Sequence, residues 1–143
     1  CGGGAIVSVL RENGIEAYGT DIQTGTDFLS EEPPPQIVET DWIITNPPFC
    51  LAEQFIQQAH KYLRENGVSF AFLLKSQYWH SKKRLDLFRE CRPRYILPLT
   101  WRPDFTGQGS SLMDMMWCVW TERKPPRTDY IPLERPKRQE DKT

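Results

Sequence analysis

The chain has 143 residues, 26% of them charged, and a formal net charge of −1 at neutral pH. A chain of this length forms one domain with a buried core and is too short for two. No run approaches the roughly 18 apolar residues that span a membrane, and no signal-type apolar segment stands at the start, so neither a membrane-spanning nor a secreted protein is indicated.

The four cysteines, at positions 1, 50, 91 and 118, are far apart and form no CxxC pair. This spacing argues against a zinc site and against a redox motif. It favours a reducing, cytoplasmic environment. The chain begins inside a glycine cluster and without methionine, so we expect it to be a fragment whose preceding strand is missing.

The first third of the chain is predicted to alternate helix and strand. Apolar residues at helical spacing predict a helix over residues 5–13. Residues 15–22 are rich in strand formers and predict a strand that ends near Asp21. Residues 24–36 are polar and end in three prolines, which predicts a loop with at most one helical turn. Residues 42–45 predict a short strand that is buried on both faces.

The clearest helix pattern lies over residues 51–66. Its apolar side chains recur at i, i+3, i+4 and i+7, and Gly67 follows as a stop signal. His60 lies beside this apolar stripe and is interpreted as structural. The remaining elements are predicted as a strand over 68–74, a helix over 84–91 and strands over 94–100 and 113–121.

Alternation of helices with buried strands as far as residue 90 predicts a parallel sheet with crossover helices. The last two strands are joined by a ten-residue loop, so we expect them to be antiparallel. The predicted fold class is therefore α/β, a doubly wound Rossmann-like parallel sheet with an antiparallel C-terminal hairpin at its edge. Residues 122–143 carry many charges and four prolines, and they are predicted to be a flexible tail to a catalytic domain over residues 1–121.

The charges are unevenly distributed along the chain. Residues 1–74 hold ten acidic and three basic residues, whereas residues 75–102 hold eight basic and two acidic ones. The second segment, with a net charge of +6, is a candidate surface for a polyanion such as nucleic acid. The alternative is that its cations only solvate a helix.

The most informative motif is Asn46-Pro47-Pro48-Phe49, directly after the apolar run 42–45. Two consecutive prolines have a fixed φ and no N–H, so the strand must stop there and the Pro47 carbonyl is left without a helix or ladder partner. An amide, a rigid carbonyl and an aromatic ring then stand at one strand end. This combination suits a planar group that carries an NH2. The alternative is a strand stop with Phe49 as a core residue.

Ligands of such sheets bind at the carboxyl ends of the strands. The glycines at positions 2 to 4 allow a close backbone approach and open a helix. Asp21 follows the next predicted strand, where a carboxylate can accept hydrogen bonds from two ribose hydroxyls. Asp27 and Phe28 offer a carboxylate and a ring to an adenine. Taken alone, each aspartate is equally typical of a residue that caps a turn or helix. Phe28, taken alone, is equally typical of a core residue.

Taken together, Cys1-Gly2-Gly3-Gly4, Asp21, Asp27-Phe28 and Asn46-Pro47-Pro48-Phe49 resemble, in this order, the S-adenosylmethionine-dependent methyltransferases of the amino-methylating type, above all the N6-adenine nucleic-acid enzymes. The resemblance spans residues 1–121. It implies that Asn46, Pro47, Pro48 and Phe49 are catalytic, and that no metal takes part. It implies that S-adenosylmethionine is bound by Gly2, Gly3, Gly4, Asp21, Ile22, Asp27 and Phe28.

The chemistry explains the residue types. The exocyclic amine of adenine is a poor nucleophile because its lone pair is delocalised into the ring. If the Asn46 side-chain oxygen and the Pro47 carbonyl accept its two N–H bonds, the lone pair can turn towards a methyl donor, so positioning and electrostatics do most of the catalysis. Phe49 would stack on a base that has left its duplex or was never paired.

The predicted substrate side follows the strand that ends near Leu74. Aromatic residues stand among basic ones there, and we expect Lys75, Tyr78, Trp79, Lys82 and Lys83 to bind nucleic acid, DNA rather than RNA. The alternative is that Tyr78 and Trp79 cap the core. The loop 102–111 should emerge at the same edge and could cover it. Two rival functions stay open: methylation of a protein glutamine amide by the same fold, and a binding module without catalysis.

Overall fold

The computed structural model describes residues 4–32, 35–104, 109 and 112–137. Within these ranges, four α-helices and five strands follow one another. In order they are α1 (Ala5–Glu12), α2 (Pro35–Val38), β1 (Trp42–Thr45), α3 (Ala52–Asn66), β2 (Ser69–Lys75), α4 (Leu85–Glu90), β3 (Tyr95–Pro98), β4 (Met115–Trp120) and β5 (Asp129–Tyr130). None of the helices in these ranges is long and apolar enough to cross a membrane.

The strands form one mixed sheet in the order β1-β2-β4-β3-β5. β1 and β2 are parallel, with α3 as the connection between them, and β3 and β5 are also parallel. β4 is antiparallel to both of its neighbours, β2 and β3. The α/β class and the antiparallel pairing of the last two predicted strands are thus confirmed.

The position of the hairpin differs from the prediction. β4 lies inside the sheet between β2 and β3, and β5 pairs with the outer side of β3. β5 comes from the segment predicted to be a flexible tail. Its backbone continues to bond to β3 beyond the strand, because the Ile131 and Leu133 amides donate to the carbonyls of Ile96 and Pro98. Part of that segment therefore belongs to the sheet.

The main core lies between α3 and the central strands. Ile56, Ala59 and Leu63, on one face of α3, are buried against Phe70 and Phe72 of β2. This is the apolar stripe that the sequence predicts, and it confirms the helix over this segment. Burial of such side chains stabilises the fold by about 1.5–3 kcal/mol each.

The strand predicted over residues 15–22 is wrong. No strand is found there, Ile15 and Tyr18 are exposed, and Asp21 instead begins a short 3-10 helix, Ile22–Thr24. Strand-forming residues need a neighbouring ladder to pair with, and within the described ranges β1 has a partner on one side only. For the same reason β1 is only partly buried, whereas the sequence predicted burial on both faces.

Helices α1 and α3 end in the same five residues, Leu-Arg-Glu-Asn-Gly. Gly14 and Gly67 both adopt a left-handed conformation, with φ of 77° and 70°, and neither has another atom within 4 Å of where a Cβ would stand. An alanine at either position therefore meets no clash. Its only cost is the strain of a left-handed backbone conformation, about 1 kcal/mol in the free energy of folding. The helices differ in burial, since α3 has six buried residues and α1 has none.

We predict that Gly67→Ala lowers the free energy of unfolding by about 1 kcal/mol, because α3 unfolds only with the core. Gly14→Ala is the matched control and should change it by less than about 0.3 kcal/mol, since α1 can open locally. Urea denaturation followed by circular dichroism measures both. Equal losses would show that α1 unfolds together with the core.

Candidate active site

The carboxyl ends of β1 and β2 point the same way, because the two strands are parallel; Thr45, the last residue of β1, is paired with Phe72, and β2 continues for three more residues to Lys75. Residues 46–49 leave the sheet directly after β1. The Pro47 ring is fully buried, while Asn46 and Pro48 are exposed. The buried ring fixes the turn to the core and leaves the Asn46 amide at the surface, as the sequence predicts for a strand end.

Of the two proline carbonyls in this turn, one accepts a backbone hydrogen bond and the other accepts none from the described residues. The Pro48 carbonyl accepts the Leu51 amide at 3.0 Å and begins the 3-10 helix Phe49–Leu51, which leads into α3. Among the described residues, no hydrogen bond ends on the Pro47 carbonyl or on the Asn46 side chain. These two acceptors are the pair that an NH2 group requires.

A small pocket lies beside Phe49, between the segment that follows β1 and the end of β2. Its volume is about 240 Å³. The Lys75 ammonium, at the end of β2, stands 4.3 Å from the centre of the Phe49 ring, which is a cation–π contact. The structure thus brings a predicted catalytic residue and a predicted substrate residue together. The pocket is lined by Phe49, Ala52, Leu74, Lys75, Gln77, Tyr78 and Arg84.

Arg84 was not predicted as a site residue, yet it forms one wall of the pocket. Its guanidinium lies 4.1 Å from the centre of the Tyr78 ring, and Nη1 donates to the Tyr78 carbonyl at 3.0 Å. Burial raises the pKa of Tyr78, and the Arg84 charge opposes that shift. In the sequence, Arg84 is the last of three consecutive cations, and nothing in that run distinguishes it from Lys82 and Lys83. The only signal that could have identified it is Tyr78, six residues earlier, on whose ring it packs.

Tyr78 and Trp79 are packed into the protein. Tyr78 is 6% exposed, and the Trp79 ring makes edge contacts with Tyr78 at 4.8 Å, Phe88 at 5.1 Å and Trp120 at 6.5 Å. The structure therefore favours the core-capping alternative for both rings over stacking on a base. Tyr78 still contributes to the pocket wall.

Lys82 and Lys83 are exposed on the 3-10 helix Lys82–Arg84. No acidic side chain in the described ranges forms an ion pair with either of them. Lys75 and Arg84 line the pocket and give its rim a positive charge, while Lys82 and Lys83 directly precede Arg84 in the chain. Such a rim can attract phosphate groups, and equally it can be a solvated surface.

The predicted cofactor residues are only partly described. Gly2 and Gly3 lie outside the described residues. Gly4 is the N-cap of α1 and has a φ of 74°. Asp21 accepts the Gln23 amide at 3.0 Å and Asp27 accepts the Leu29 amide at 2.9 Å, so each aspartate caps a local turn. Ile22 is exposed between them.

Phe28 belongs to the core, which is the alternative that the sequence left open. Its ring stacks on Phe55 with centroids 4.8 Å apart and meets the edge of Tyr62 at 5.9 Å. Gln58 adds a hydrogen bond from α3 to the Ser30 carbonyl at 3.0 Å. The loop that carries Asp27 is therefore anchored on α3, the helix that begins directly after the Asn46–Phe49 motif.

The loop predicted to cover the site, residues 102–111, lies mostly outside the described residues. Its two ends are close together, since Arg102 forms an ion pair with Asp114 at 3.0 Å. The Asp114 carbonyl accepts the Ser76 amide at 2.9 Å. The loop therefore starts and ends beside the end of β2, at the predicted edge.

Metal chemistry finds no support in the part of the chain that the structure describes. No group of three or more His, Cys, Asp or Glu side chains there could hold a metal ion. His80 is exposed on the turn after Trp79. Of the cysteines, burial raises the pKa of Cys91 to about 11 and that of Cys118 to about 12, so neither is a reactive thiol.

Comparisons with known proteins do not assign this chain to a family. Neither the scan against models of protein families nor the search of curated proteins finds a match to this chain. A functional interpretation therefore rests on the motif residues and on the geometry at the strand ends.

We predict that Arg84→Gln lowers the free energy of unfolding by about 1–2 kcal/mol, because it removes a charged hydrogen bond and a cation–π contact. Lys83→Gln is the matched control, one exposed cation removed from the same turn, and should change it by less than about 0.5 kcal/mol. Thermal and urea unfolding measure both. If the two substitutions cost the same, Arg84 does not support the pocket wall.

Proposed function

We propose that this chain is the catalytic domain of an S-adenosylmethionine-dependent methyltransferase that methylates the N6 amine of adenine in DNA or RNA. One observation carries the proposal: after β1, the Asn46 side chain and the Pro47 carbonyl both lack a hydrogen-bond partner among the described residues, and a half-exposed aromatic ring follows them. The doubly wound, Rossmann-like character of the sheet belongs to the same proposal. It is supported by the parallel β1-α3-β2 unit.

The chain's own residues would orient the acceptor. Asn46 and Pro47 would accept the two N–H bonds of the amine, and the buried Pro47 ring would keep their positions fixed. Holding the amine in this geometry removes much of the entropic cost of the transfer. Phe49, 44% exposed, offers ring surface to the base.

The residues present fit the methyl donor in part. When bound, S-adenosylmethionine supplies a methyl group on a sulfonium. Gly4 has open space on the side where a Cβ would point, so the backbone at the start of α1 can be approached closely. Asp21 and Asp27 would hold the ribose hydroxyls and the adenine edge. Phe28 does not fit a cofactor role, because its ring is already stacked on Phe55.

The basic rim favours nucleic acid as the acceptor. Lys75 and Arg84 line the pocket, and Lys82 and Lys83 directly precede Arg84, in the segment whose net charge is +6. Each phosphate contact with such a cation strengthens binding and makes it dependent on salt. A DNA or RNA strand is therefore the preferred substrate class.

A protein glutamine amide is the second candidate, and a specific observation favours it. Because Tyr78 and Trp79 are held in the core, Phe49 is the one aromatic ring of the motif and its neighbouring loop with a large exposed surface. An amide carries the same two N–H donors and needs no stacking platform. Neutralising Lys82 and Lys83 would then leave transfer unchanged.

We predict that the full chain transfers methyl groups from labelled S-adenosylmethionine to adenine-containing oligonucleotides, and that Asn46→Ala lowers kcat by at least about 100-fold because the amine loses an acceptor. Cys50→Ala, exposed and one residue beyond the motif, is the control and should keep full activity. Label in N6-methyladenine decides for nucleic acid, and label in a glutamine-containing peptide decides for the rival. Full activity in Asn46→Ala would refute both.

We further predict that the chain binds S-adenosylmethionine in calorimetry and that Asp21→Ala weakens binding by at least about tenfold, the value of one or two charged hydrogen bonds. Glu31→Ala, an exposed carboxylate on the neighbouring turn, is the control and should bind normally. No heat of binding in the folded protein would identify a binding module without methyl transfer.

A further inference from the structure

A second cavity lies at the other edge of the sheet, where β2 begins and β4 ends. It is an open groove of about 730 Å³ between the C-terminal half of α3, the end of α4 and the segment after β4. Its size is within the range of sites for small ligands. None of its walls comes from the Asn46–Phe49 motif or from the loop after β2.

The groove contains a buried histidine with an unused nitrogen. His60 is 7% exposed and lines the groove from α3. Its ring lies close enough to the Arg123 backbone for that contact to raise the His60 pKa, while Nε2 has no hydrogen-bond partner in the described part of the chain. A buried polar atom normally has a partner, because leaving it unpaired is costly. An unpaired one that lines a cavity points to a ligand.

The walls of the groove are strongly positive. Cations from three separate elements meet there with a single carboxylate. They are Arg64 from α3, Arg89 and Arg92 around the end of α4, and Arg123 and Lys124 after β4, with Glu90 as the one acidic residue.

Few of these cations are neutralised by the protein. Arg89 lies 3.9 Å from Asp86 on an exposed surface, and Arg92 stands over the Phe88 ring at 5.8 Å. Within the described ranges, Arg64, Arg123 and Lys124 form no ion pair. Guanidinium groups gathered without carboxylates are suited to the oxygens of a phosphate, which they bind in pairs of hydrogen bonds.

We propose that this groove binds a phosphate-bearing ligand, with Arg64 and Arg123 on the phosphate oxygens and His60 Nε2 as the polar group at its base. The proposal does not depend on methyl transfer. The phosphate belongs either to a small molecule or to the backbone of a nucleic acid, and both present the same tetrahedral anion.

The histidine should make binding depend on pH. In the free protein, burial and the nearby Arg64 charge lower the pKa of His60, so its ring is neutral at pH 7. Besides the four arginines and Lys124, the titratable groups of the walls are Glu90 and Cys91, and burial raises the pKa of Cys91 to about 11, so that thiol stays neutral throughout. A bound anion offsets the repulsion from Arg64 and favours a protonated ring, whose Nε2–H donates to the anion. Binding should therefore take up a proton and tighten as the pH falls.

The test uses the full chain and sulfate as the probe, because sulfate keeps a charge of −2 across the pH range. Calorimetry should show sulfate binding that is at least about threefold tighter at pH 6 than at pH 8. Arg64→Gln and Arg123→Gln should each weaken it at least about fivefold by removing a charged contact. His60→Asn keeps a donor to the Arg123 backbone and should abolish the pH dependence. Arg11→Gln, an exposed cation on α1, is the matched control.

An oligonucleotide arm identifies the source of the phosphate. If a single-stranded oligonucleotide binds, and Arg64→Gln reduces both its affinity and its salt slope by about one phosphate contact, the ligand is a nucleic acid. If only sulfate and phosphate respond to the substitution, it is a small phosphorylated molecule. The proposal is overturned if neither probe binds, or if Arg64→Gln and Arg11→Gln bind both probes equally well. Because Arg64 is exposed, its substitution decides the matter even if His60→Asn fails to fold.

Discussion

The rest of the fold depends on how Trp120 is held at the end of β4. Its ring is fully buried and stacks on Phe70 with centroids 4.4 Å apart and the planes 11° from parallel. Its Nε1 donates to the Cys91 carbonyl at 2.8 Å, just beyond α4. One side chain thus joins β4 to β2 and both to the end of α4, with aromatic packing and a satisfied polar atom. It adds to the antiparallel ladders that hold β4 between β2 and β3.

The central place of β4 positions both cavities. At one end it is paired with Lys75, which puts the base of the 102–114 segment beside the strand-end pocket. At the other end it is paired with Phe70 and runs on towards Arg123, which reaches the backbone contact with His60. The two edges of the sheet therefore carry different chemistry: an amide, a carbonyl and a ring at one, and a positive groove at the other.

Sequence patterns predicted the elements that are defined by local rules. The apolar stripe of α3, its stop at Gly67 and the strand end before Asn46 follow from spacing, backbone sterics and proline geometry. Elements that need a distant partner were missed. Residues 15–22 have strand propensity but no neighbouring strand to pair with. β4 was expected at the edge of the sheet and lies inside it. Phe28 was predicted to contact a cofactor, and its ring stacks on Phe55 in the core. His60 is of interest because of its contact with Arg123, 63 residues later, which no local pattern reports.

Helix α3 also sets the distance between the two cavities. Ala52, at its start, lines the strand-end pocket, and Arg64, twelve positions later, lines the positive groove. At about 1.5 Å per residue the two walls are roughly 18 Å apart, on a helix that is clamped to the sheet along its whole buried face. A compact molecule can reach one cavity only. A chain molecule lying along the exposed side of α3 could touch both at a single fixed spacing, and would be selected by its length as well as by its chemistry.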